Sequence, residues 1–251
     1  GMQAAKTAAK RGHRVTLFEK ESELGGQLFI AALPPYKHEI NDAREYFVRD
    51  LKKTPVDIRT GVEVTAKMIE DEKPDAVIVA TGAVHLTPAT EEMAGDNVIS
   101  AEDILWGHKE AGQEVVVIGG ERVACETAEF LADKGKHVTV VRQGPKMAGR
   151  VGPVQRGRLL TRLRQKGVTL MTDVQKFEGV TKEGLKLIDK EGNRQTIKAD
   201  TIVFGVGMKA VKKLVLELEG KVPELYTVGD CIRPREIIEA VDEGARVGCE
   251  V

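Results

Sequence analysis

The chain has 251 residues, 41% of them hydrophobic and 31% charged, a composition typical of globular proteins at a length that holds one large or two moderate domains. Its net charge is −1, which gives no electrostatic reason to expect nucleic acid or a membrane surface as a partner. The three cysteines lie far apart and lack the spacing of a zinc or iron–sulfur site. We therefore predict no metal site and a cytoplasmic location, and we predict no membrane span because no apolar run in the sequence is long enough.

Helices and strands are predicted to alternate along the first part of the chain. An Ala- and Lys-rich stretch that ends before Gly12 favours an opening helix, and β-branched or nearly all-apolar runs favour strands. Ser100 followed by Asp103 is typical of a capping box at a helix start. The predicted helices cover 2–11, 37–53, 66–74 and 100–106, and the predicted strands cover 14–20, 55–61 and 75–82.

The rest of the chain repeats this alternation. Strands alternating with helices imply mostly parallel sheets joined by right-handed crossovers, so the predicted fold class is α/β. The predicted strands cover 114–119, 137–142, 167–173, 199–207 and 224–231, with a hairpin over 185–199 that turns at 191–193, and the predicted helices cover 122–134, 152–167 and 234–248.

An internal repeat relates 1–20 to 124–143 by a shift of 123 positions, so that Gly12 lies over Gly135. The second copy follows a strand and a glycine turn, EVVVIGGERVA (114–124). The first copy begins where the sixth residue of a G-x-G-x-x-G fingerprint is expected. The sequence therefore predicts two nucleotide-binding halves, the first without its opening strand and most of its phosphate loop.

The repeat also predicts the domain organisation. The run ADTIVFGVG (199–207) matches PDAVIVATG (74–82), but the strand at 224–231 has no counterpart within the second half. We therefore assign that strand to the first half. The prediction is two Rossmann-like domains with parallel sheets, the second (108–208) inserted in the first (1–107 and 209–251).

The phosphate loop of the second half, IGGERVA (118–124), departs from the dinucleotide fingerprint. Its three small-residue positions hold Gly119, Glu121 and Ala124, and the glutamate adds bulk and negative charge where a pyrophosphate would meet a helix N-terminus. Arg142 stands where an acidic residue usually holds the ribose, and it suits a 2′-phosphate better. Two alternatives stay open: Glu121 rotates out and NADPH binds, or nucleotide binding is lost and only the fold remains.

The first half places Glu19 at the end of its second strand, at the spacing from Gly1 that separates Arg142 from Ala124. A carboxylate there can accept hydrogen bonds from an adenosine ribose. An exposed strand-end glutamate is the alternative, but the following LGGQL sequence (24–28) favours a binding role, because its two glycines permit a turn with N–H groups facing an anion.

Two further motifs complete the pattern of the first half. Thr81 and Gly82 end a buried strand where a ligand can approach the backbone. Asp230 follows a strand and precedes the last helix, a position suited to a sugar hydroxyl near a phosphate. The alternative is a turn in which Asp230 serves as the N-cap. Cys231 has no resolving partner nearby in the sequence, so we expect a packed free thiol.

Taken in order, the stretches GMQAAKTAAKRGHRVTLFEK, ELGGQL, VIVATGA, CETAEFLADKGKHVTVV and ELYTVGDC resemble the C-terminal reductase portion of NADH:flavin oxidoreductases. These are relatives of 2,4-dienoyl-CoA reductase and trimethylamine dehydrogenase, among the two-dinucleotide-binding-domain flavoproteins. The resemblance implies FAD in the first domain, NAD(P)H in the second, and hydride transfer from nicotinamide to flavin N5. The cofactors supply that chemistry, so no catalytic side chain is predicted.

The resemblance and the motifs together give the candidate cofactor-binding residues: Gly1, Glu19, Lys20, Gly25, Gly26, Gln27, Thr81, Gly82, Gly119, Gly120, Glu126, Arg142, Gly207, Gly229 and Asp230.

Family members usually carry a flavin barrel and a cysteine-bound iron–sulfur cluster as well, which implies a partner domain of that kind. A missing central strand leaves two neighbours without hydrogen-bond partners, and a homodimer could supply them. The leading hypothesis is an FAD-dependent NAD(P)H oxidoreductase module, truncated at its N-terminus. The alternative is a degraded structural or ADP-binding module of the same fold.

Overall fold

The computed structural model describes residues 1–86, 88 and 90–251, which divide into two compact units. Unit 1 comprises Gly1–Ala32, His38–Val84 and Met208–Val251, and unit 2 comprises Leu33–Lys37 and His85–Gly207.

The helices and strands are numbered in chain order. The helices are α1 (Met2–Lys10), α2 (Gln27–Ala31), α3 (Glu39–Leu51), α4 (Ala66–Glu72), α5 (Ala101–Trp106), α6 (Arg122–Asp133), α7 (Pro153–Gln165), α8 (Lys213–Leu218) and α9 (Ile237–Glu250). The strands are β1 (Thr16–Glu19), β2 (Asp57–Thr60), β3 (Ala76–Val79), β4 (Ala83–His85), β5 (Val98–Ser100), β6 (Glu114–Ile118), β7 (His137–Val141), β8 (Thr169–Met171), β9 (Lys176–Thr181), β10 (Gly184–Ile188), β11 (Arg194–Lys198), β12 (Thr201–Phe204), β13 (Met208–Ala210) and β14 (Glu224–Thr227).

Unit 2 is built on a five-stranded sheet in the order β5-β12-β6-β7-β8, and every neighbouring pair is parallel. Side chains alternate between the two faces of a strand, so Val115 and Val117 of β6 join one apolar cluster with α5, α6 and α7. Val116 and Ile118 join a second cluster on the opposite face, with β10. The predicted α/β class with parallel sheets is confirmed.

The strand β5 accounts for one difference between unit 2 and the predicted second domain, which began at residue 108; the segment Leu33–Lys37 is another difference. It pairs in parallel with β12, Val98 opposite Ile202, and therefore completes the sheet of unit 2, although the sequence interpretation assigned 1–107 to the first domain. A strand of three residues carries too little periodicity to be recognised from sequence.

A three-stranded antiparallel sheet, β11-β10-β9, covers the second face of unit 2. The predicted hairpin over 185–199 is confirmed, with its turn fixed by Asp189, whose Oδ1 accepts hydrogen bonds from the backbone N–H groups of Glu191 and Asn193. The sequence analysis did not predict β9, whose polar residues break up its apolar ones.

Unit 1 contains two separate parallel pairs, β1 with β2 and β14 with β3. Helix α1 packs on α9 at a very short separation: a Cβ on Gly248 would lie 2.7 Å from the carbonyl oxygen of Ala4. Glycine is therefore required on α9 at this crossing.

The helix over 100–106 forms with the predicted cap, since Ser100 Oγ accepts a hydrogen bond from the backbone N–H of Asp103 at 2.9 Å. The short elements α2, α8, β4 and β13 were not predicted, because three to six residues give weak periodicity. Among the residues that the structure describes, no helix is long and apolar enough to cross a membrane.

Candidate functional site

Glu19 is the last residue of β1, and its half-buried carboxylate accepts a hydrogen bond from the backbone N–H of Glu21 at 3.1 Å. This bond holds the carboxylate at the carboxyl end of the strand, where ligands of parallel sheets bind. Lys20 is exposed and pairs with Glu21 at 3.5 Å, so the structure gives it no contact specific to the candidate site.

The LGGQL loop bends back toward the end of β3. Gly25 and Gly26 have φ angles of 146° and 49°, in the region that favours glycine. A Cβ on Gly25 would lie 2.6 Å from Arg44 Cδ, whereas nothing lies within 4 Å of a Cβ on Gly26. Gln27 Nε2 donates to the carbonyl of Ala83 at 3.1 Å, and the loop is thereby fixed beside the ATG motif.

The ATG motif at the end of β3 is anchored to the segment after β13. Thr81 Oγ1 donates to the carbonyl of Val211 at 2.8 Å, and the N–H of Val211 donates to the carbonyl of Gly82 at 3.0 Å. Gly82 has φ 70° and open space where a Cβ would lie. The backbone of Gly82 is therefore accessible to a ligand, while the Thr81 hydroxyl is used internally.

Asp230 lies at the carboxyl end of β14 within a network of charged groups. Its Oδ1 accepts from the backbone N–H of Arg235 at 3.0 Å, and the Arg235 guanidinium pairs with Glu243. Glu243 in turn accepts from the backbone N–H of Gly229 at 2.7 Å. Burial raises the pKa of the Asp230 carboxyl. The alternative in which Asp230 caps the last helix differs from the structure, because Glu236 is the N-cap of α9.

Gly1 completes the candidate site of unit 1. It precedes α1 as the N-cap, and a Cβ on it would lie 3.5 Å from Ala80 Cβ and 3.7 Å from Leu17 Cδ1. The structure therefore places the start of α1 against β1 and against the residue that follows β3. The Val228 N–H donates to the Val79 carbonyl at 3.0 Å, so the carboxyl ends of β14 and β3 lie side by side.

In unit 2, the turn after β6 depends on small residues in close contact. Gly119 has φ 135°, and a Cβ on it would overlap the carbonyl of Gly205, lying 2.8 Å from its carbon. A Cβ on Gly205 would lie 3.1 Å from Ala124 Cβ. Ala124 therefore allows the close helix–strand packing expected of the third fingerprint position. The sequence analysis did not single out Gly205, although it follows a strand run of buried residues.

Glu121 and Arg142 form an ion pair beside this turn. Arg142 Nη1 lies 2.6 Å from Glu121 Oε1 and donates to the carbonyl of Gly120 at 3.0 Å. Glu121 Oε2 accepts from the backbone N–H of Arg150 at 3.0 Å. The side chain of Glu121 is thus held by the guanidinium of Arg142 and the backbone N–H of Arg150.

Glu126 lies one turn into α6 and pairs with Lys37 at 2.9 Å, with exposed side-chain fractions of 13% and 24%. The segment Leu33–Lys37 belongs to unit 2, so the pair is internal to that unit. Lys37 was missed by the sequence analysis, because no local signal connects it with α6. Gly207, after β12, has φ 122° and open space at the Cβ position.

None of the three cysteines is part of a disulfide. Burial raises the pKa of the Cys125 thiol to about 12. Cys231 is buried, and its Sγ donates to the carbonyls of Val79 and Val228 at 3.1 Å, as expected for a packed free thiol. Cys249 is exposed.

The accessibility of these thiols gives a direct prediction. Because the thiolate is the reactive form, native protein at pH 8 is expected to titrate one thiol rapidly with Ellman's reagent, and Cys249→Ser should abolish that phase. Denatured protein should release all three thiols. A rapid native phase that survives Cys249→Ser would contradict the packing of Cys125 and Cys231.

The residues of unit 1 fit FAD at several points. A carboxylate ends β1, as an adenosine ribose requires, and Gly26 and Gly82 leave open space beside backbone with positive φ. Glu19, Gly26, Gln27, Gly82 and Asp230 are the residues that would hold the cofactor. When bound, FAD supplies a two-electron acceptor.

Comparison with known proteins agrees with this geometry. The family model for pyridine nucleotide-disulphide oxidoreductases matches residues 1–244, and the chain belongs to this family. It is 37% identical over 256 residues to an NADH oxidase of Thermoanaerobacter brockii, covering 100% of this chain and 39% of that protein. It is 38% identical over 245 residues to a bilirubin reductase of Mediterraneibacter gnavus (strain CC55_001C), and the match covers 97% of this chain and 38% of that protein.

Among solved structures, a 2-naphthoyl-CoA reductase superposes with a TM-score of 0.94 at 30% identity, covering 100% of this chain and 38% of that one. The chain thus spans about two fifths of the length of these relatives. The resemblance to the two-domain flavoproteins is confirmed.

Proposed function

We propose that this module takes electrons from NAD(P)H at unit 2 and delivers them, through FAD held by unit 1, to a further redox domain of the flavin-barrel and iron–sulfur kind. The single observation that carries the proposal is the clustering of ligand-binding features at the carboxyl ends of β1, β3 and β14. Ligands of open α/β sheets bind at such ends. A cytoplasmic location and a homodimer remain predictions.

In this proposal, the side chains of unit 1 bind FAD and fix its orientation. Glu19 accepts hydrogen bonds from the ribose hydroxyls of FAD. Gly26 and Gly82 allow the backbone to lie against the cofactor, and Gln27 keeps the two loops together through its bond to Ala83. Asp230 adds an acceptor whose orientation is fixed by the N–H of Arg235.

The side chains of unit 2 bind the nicotinamide nucleotide. Gly119 and Gly120 form the turn before α6, and Gly207 leaves open backbone after β12. Lys37 and Glu126 hold each other in place, and we propose that the pair orients the nicotinamide end of the nucleotide. No protein group has to act as a nucleophile.

An absorbance spectrum tests this function. The purified chain is incubated with FAD, desalted and examined for a visible flavin band, which NADPH or NADH should then bleach under anaerobic conditions. A retained band that either nucleotide bleaches supports the proposal. A protein that retains no flavin would contradict it and favour the degraded structural module, for which Glu121 at a fingerprint glycine position is the supporting observation.

Glu19→Ala is expected to weaken FAD binding by roughly tenfold or more, since hydrogen bonds to a charged group contribute about 1.5–3 kcal/mol. The measurement is quenching of flavin fluorescence during titration with the protein. Glu63→Ala is the matched control, because Glu63 is exposed and lies outside the candidate site. Equal affinities for the two variants would remove Glu19 from the site.

A further inference from the structure

The carboxylate of Glu121 is held from two directions by partners that could equally bind an external anion. Arg142 Nη1 lies 2.6 Å from Oε1, and the backbone N–H of Arg150 donates to Oε2 at 3.0 Å. The side chains of Glu121 and Arg142 are 34% and 23% exposed. An anion approaching from solvent can therefore reach the same partners.

The position of Arg142 identifies the ligand group that would replace this carboxylate. Arg142 follows β7, the strand that pairs in parallel with β6 and its glycine turn. In dinucleotide-binding folds the residue at this place contacts the 2′ position of the adenosine ribose, and an arginine there accommodates a 2′-phosphate. The planar guanidinium also matches phosphate oxygens in a bidentate manner.

We infer that Glu121 is an internal counter-ion, which holds Arg142 ready for the 2′-phosphate of NADPH and is exchanged for that phosphate when the nucleotide binds. The inference rests on the proposed function, which it deepens by assigning NADPH and not NADH as the electron donor. An exchangeable counter-ion differs from a residue that blocks the site, because the Glu121 carboxylate moves away from Arg142 when the 2′-phosphate binds.

Charge balance explains how the exchange selects one nucleotide. A 2′-phosphate carries more negative charge than a carboxylate at pH 7 and offers three oxygens, so it binds Arg142 more strongly. The exposed cations Lys146 and Arg150 lie in the loop that follows Arg142 and add to the positive field. NADH has no group to replace the carboxylate, so Glu121 remains and its charge opposes the pyrophosphate.

The exchange is tested by calorimetric titration of the FAD-loaded chain with NADPH, NADH, adenosine 2′,5′-bisphosphate and 5′-AMP. We expect the 2′-phosphorylated member of each pair to bind roughly tenfold or more tightly. Arg142→Gln should remove this preference, and Arg142→Lys should retain part of it. Glu121→Gln should strengthen NADH binding and so narrow the preference for NADPH, because it removes the charge that opposes the pyrophosphate of NADH.

Lys134→Gln is the matched control, since it removes an exposed positive charge of unit 2 at the opposite end of α6 from Glu121 and should leave both preferences unchanged. Equal binding of NADPH and NADH, with flavin reduction by both, would overturn the inference and leave the proposed function standing. If NADPH binds to Glu121→Gln but not to the wild type, Glu121 blocks the site, and the proposed exchange of its carboxylate for the 2′-phosphate is overturned. Binding of neither dinucleotide by the wild type and Glu121→Gln would overturn both the inference and the proposed function.

Discussion

Arg162→Met is expected to lower the free energy of unfolding by about 3 kcal/mol, because it leaves a buried carboxylate without its main partner. Glu129 on α6 is completely buried, and Arg162 on α7 donates to it twice, from Nε at 2.6 Å and from Nη2 at 2.9 Å. Lys166 lies 3.2 Å away and compensates only in part. Trp106, the single tryptophan, lies in unit 2, so its fluorescence during urea unfolding measures the decrease in the free energy of unfolding.

Two further variants separate the buried charge from general effects on α7. Arg158→Met changes an exposed arginine of the same helix and should cost less than about 0.5 kcal/mol. The double variant Glu129→Leu with Arg162→Met removes both charges and should recover much of the lost stability. Equal losses in Arg162→Met and Arg158→Met would mean that the bidentate pair contributes no more than a surface charge.

The sequence predicted the alternating elements well where they are long and periodic. Helix α6 and strand β7 recur in the internal repeat, and their strong patterns gave bounds within one or two residues of the structure. Short elements such as β5 form because a neighbouring strand offers them hydrogen-bond partners. That tertiary contribution is invisible in three residues of sequence, which is why the second unit begins earlier than the predicted second domain.

The candidate site was predictable where a local backbone requirement selects the residue. Gly26, Gly82 and Gly119 adopt positive φ angles, and glycine in a turn after a strand predicts such geometry. Pairings between distant residues were not predictable. Lys37 with Glu126 and Glu129 with Arg162 depend on how helices and loops pack, and charged residues in amphipathic helices otherwise favour the solvent-exposed face.

Glu121 and Arg142 lie between these two cases. The fingerprint predicts that the second glycine position and the residue after the next strand both face the nucleotide. Opposite charges at two such positions could therefore have been paired from sequence. The structure adds that the two side chains form an ion pair at 2.6 Å, and this observation is what leads from two unusual residues to the proposal of an exchangeable counter-ion.

Gly119→Ala is expected to lower the free energy of unfolding of unit 2 by about 4 kcal/mol, through backbone strain at positive φ and overlap with a neighbouring strand. Gly119 has φ 135°, and its added Cβ would meet the carbonyl of Gly205, whose backbone is fixed by the sheet. The buried side chains around β6 and β12 leave little room for either strand to shift.

Gly207→Ala is the control that isolates the overlap from the strain. Gly207 has φ 122° but no atom within 4 Å of an added Cβ, so it should lose only about 2 kcal/mol from backbone strain. Both variants are compared by Trp106 fluorescence in urea. Equal losses of unfolding free energy in the two variants would show that the strands move apart at low cost. Glycine at position 119 would then be required by its backbone conformation and not by its close approach to Gly205.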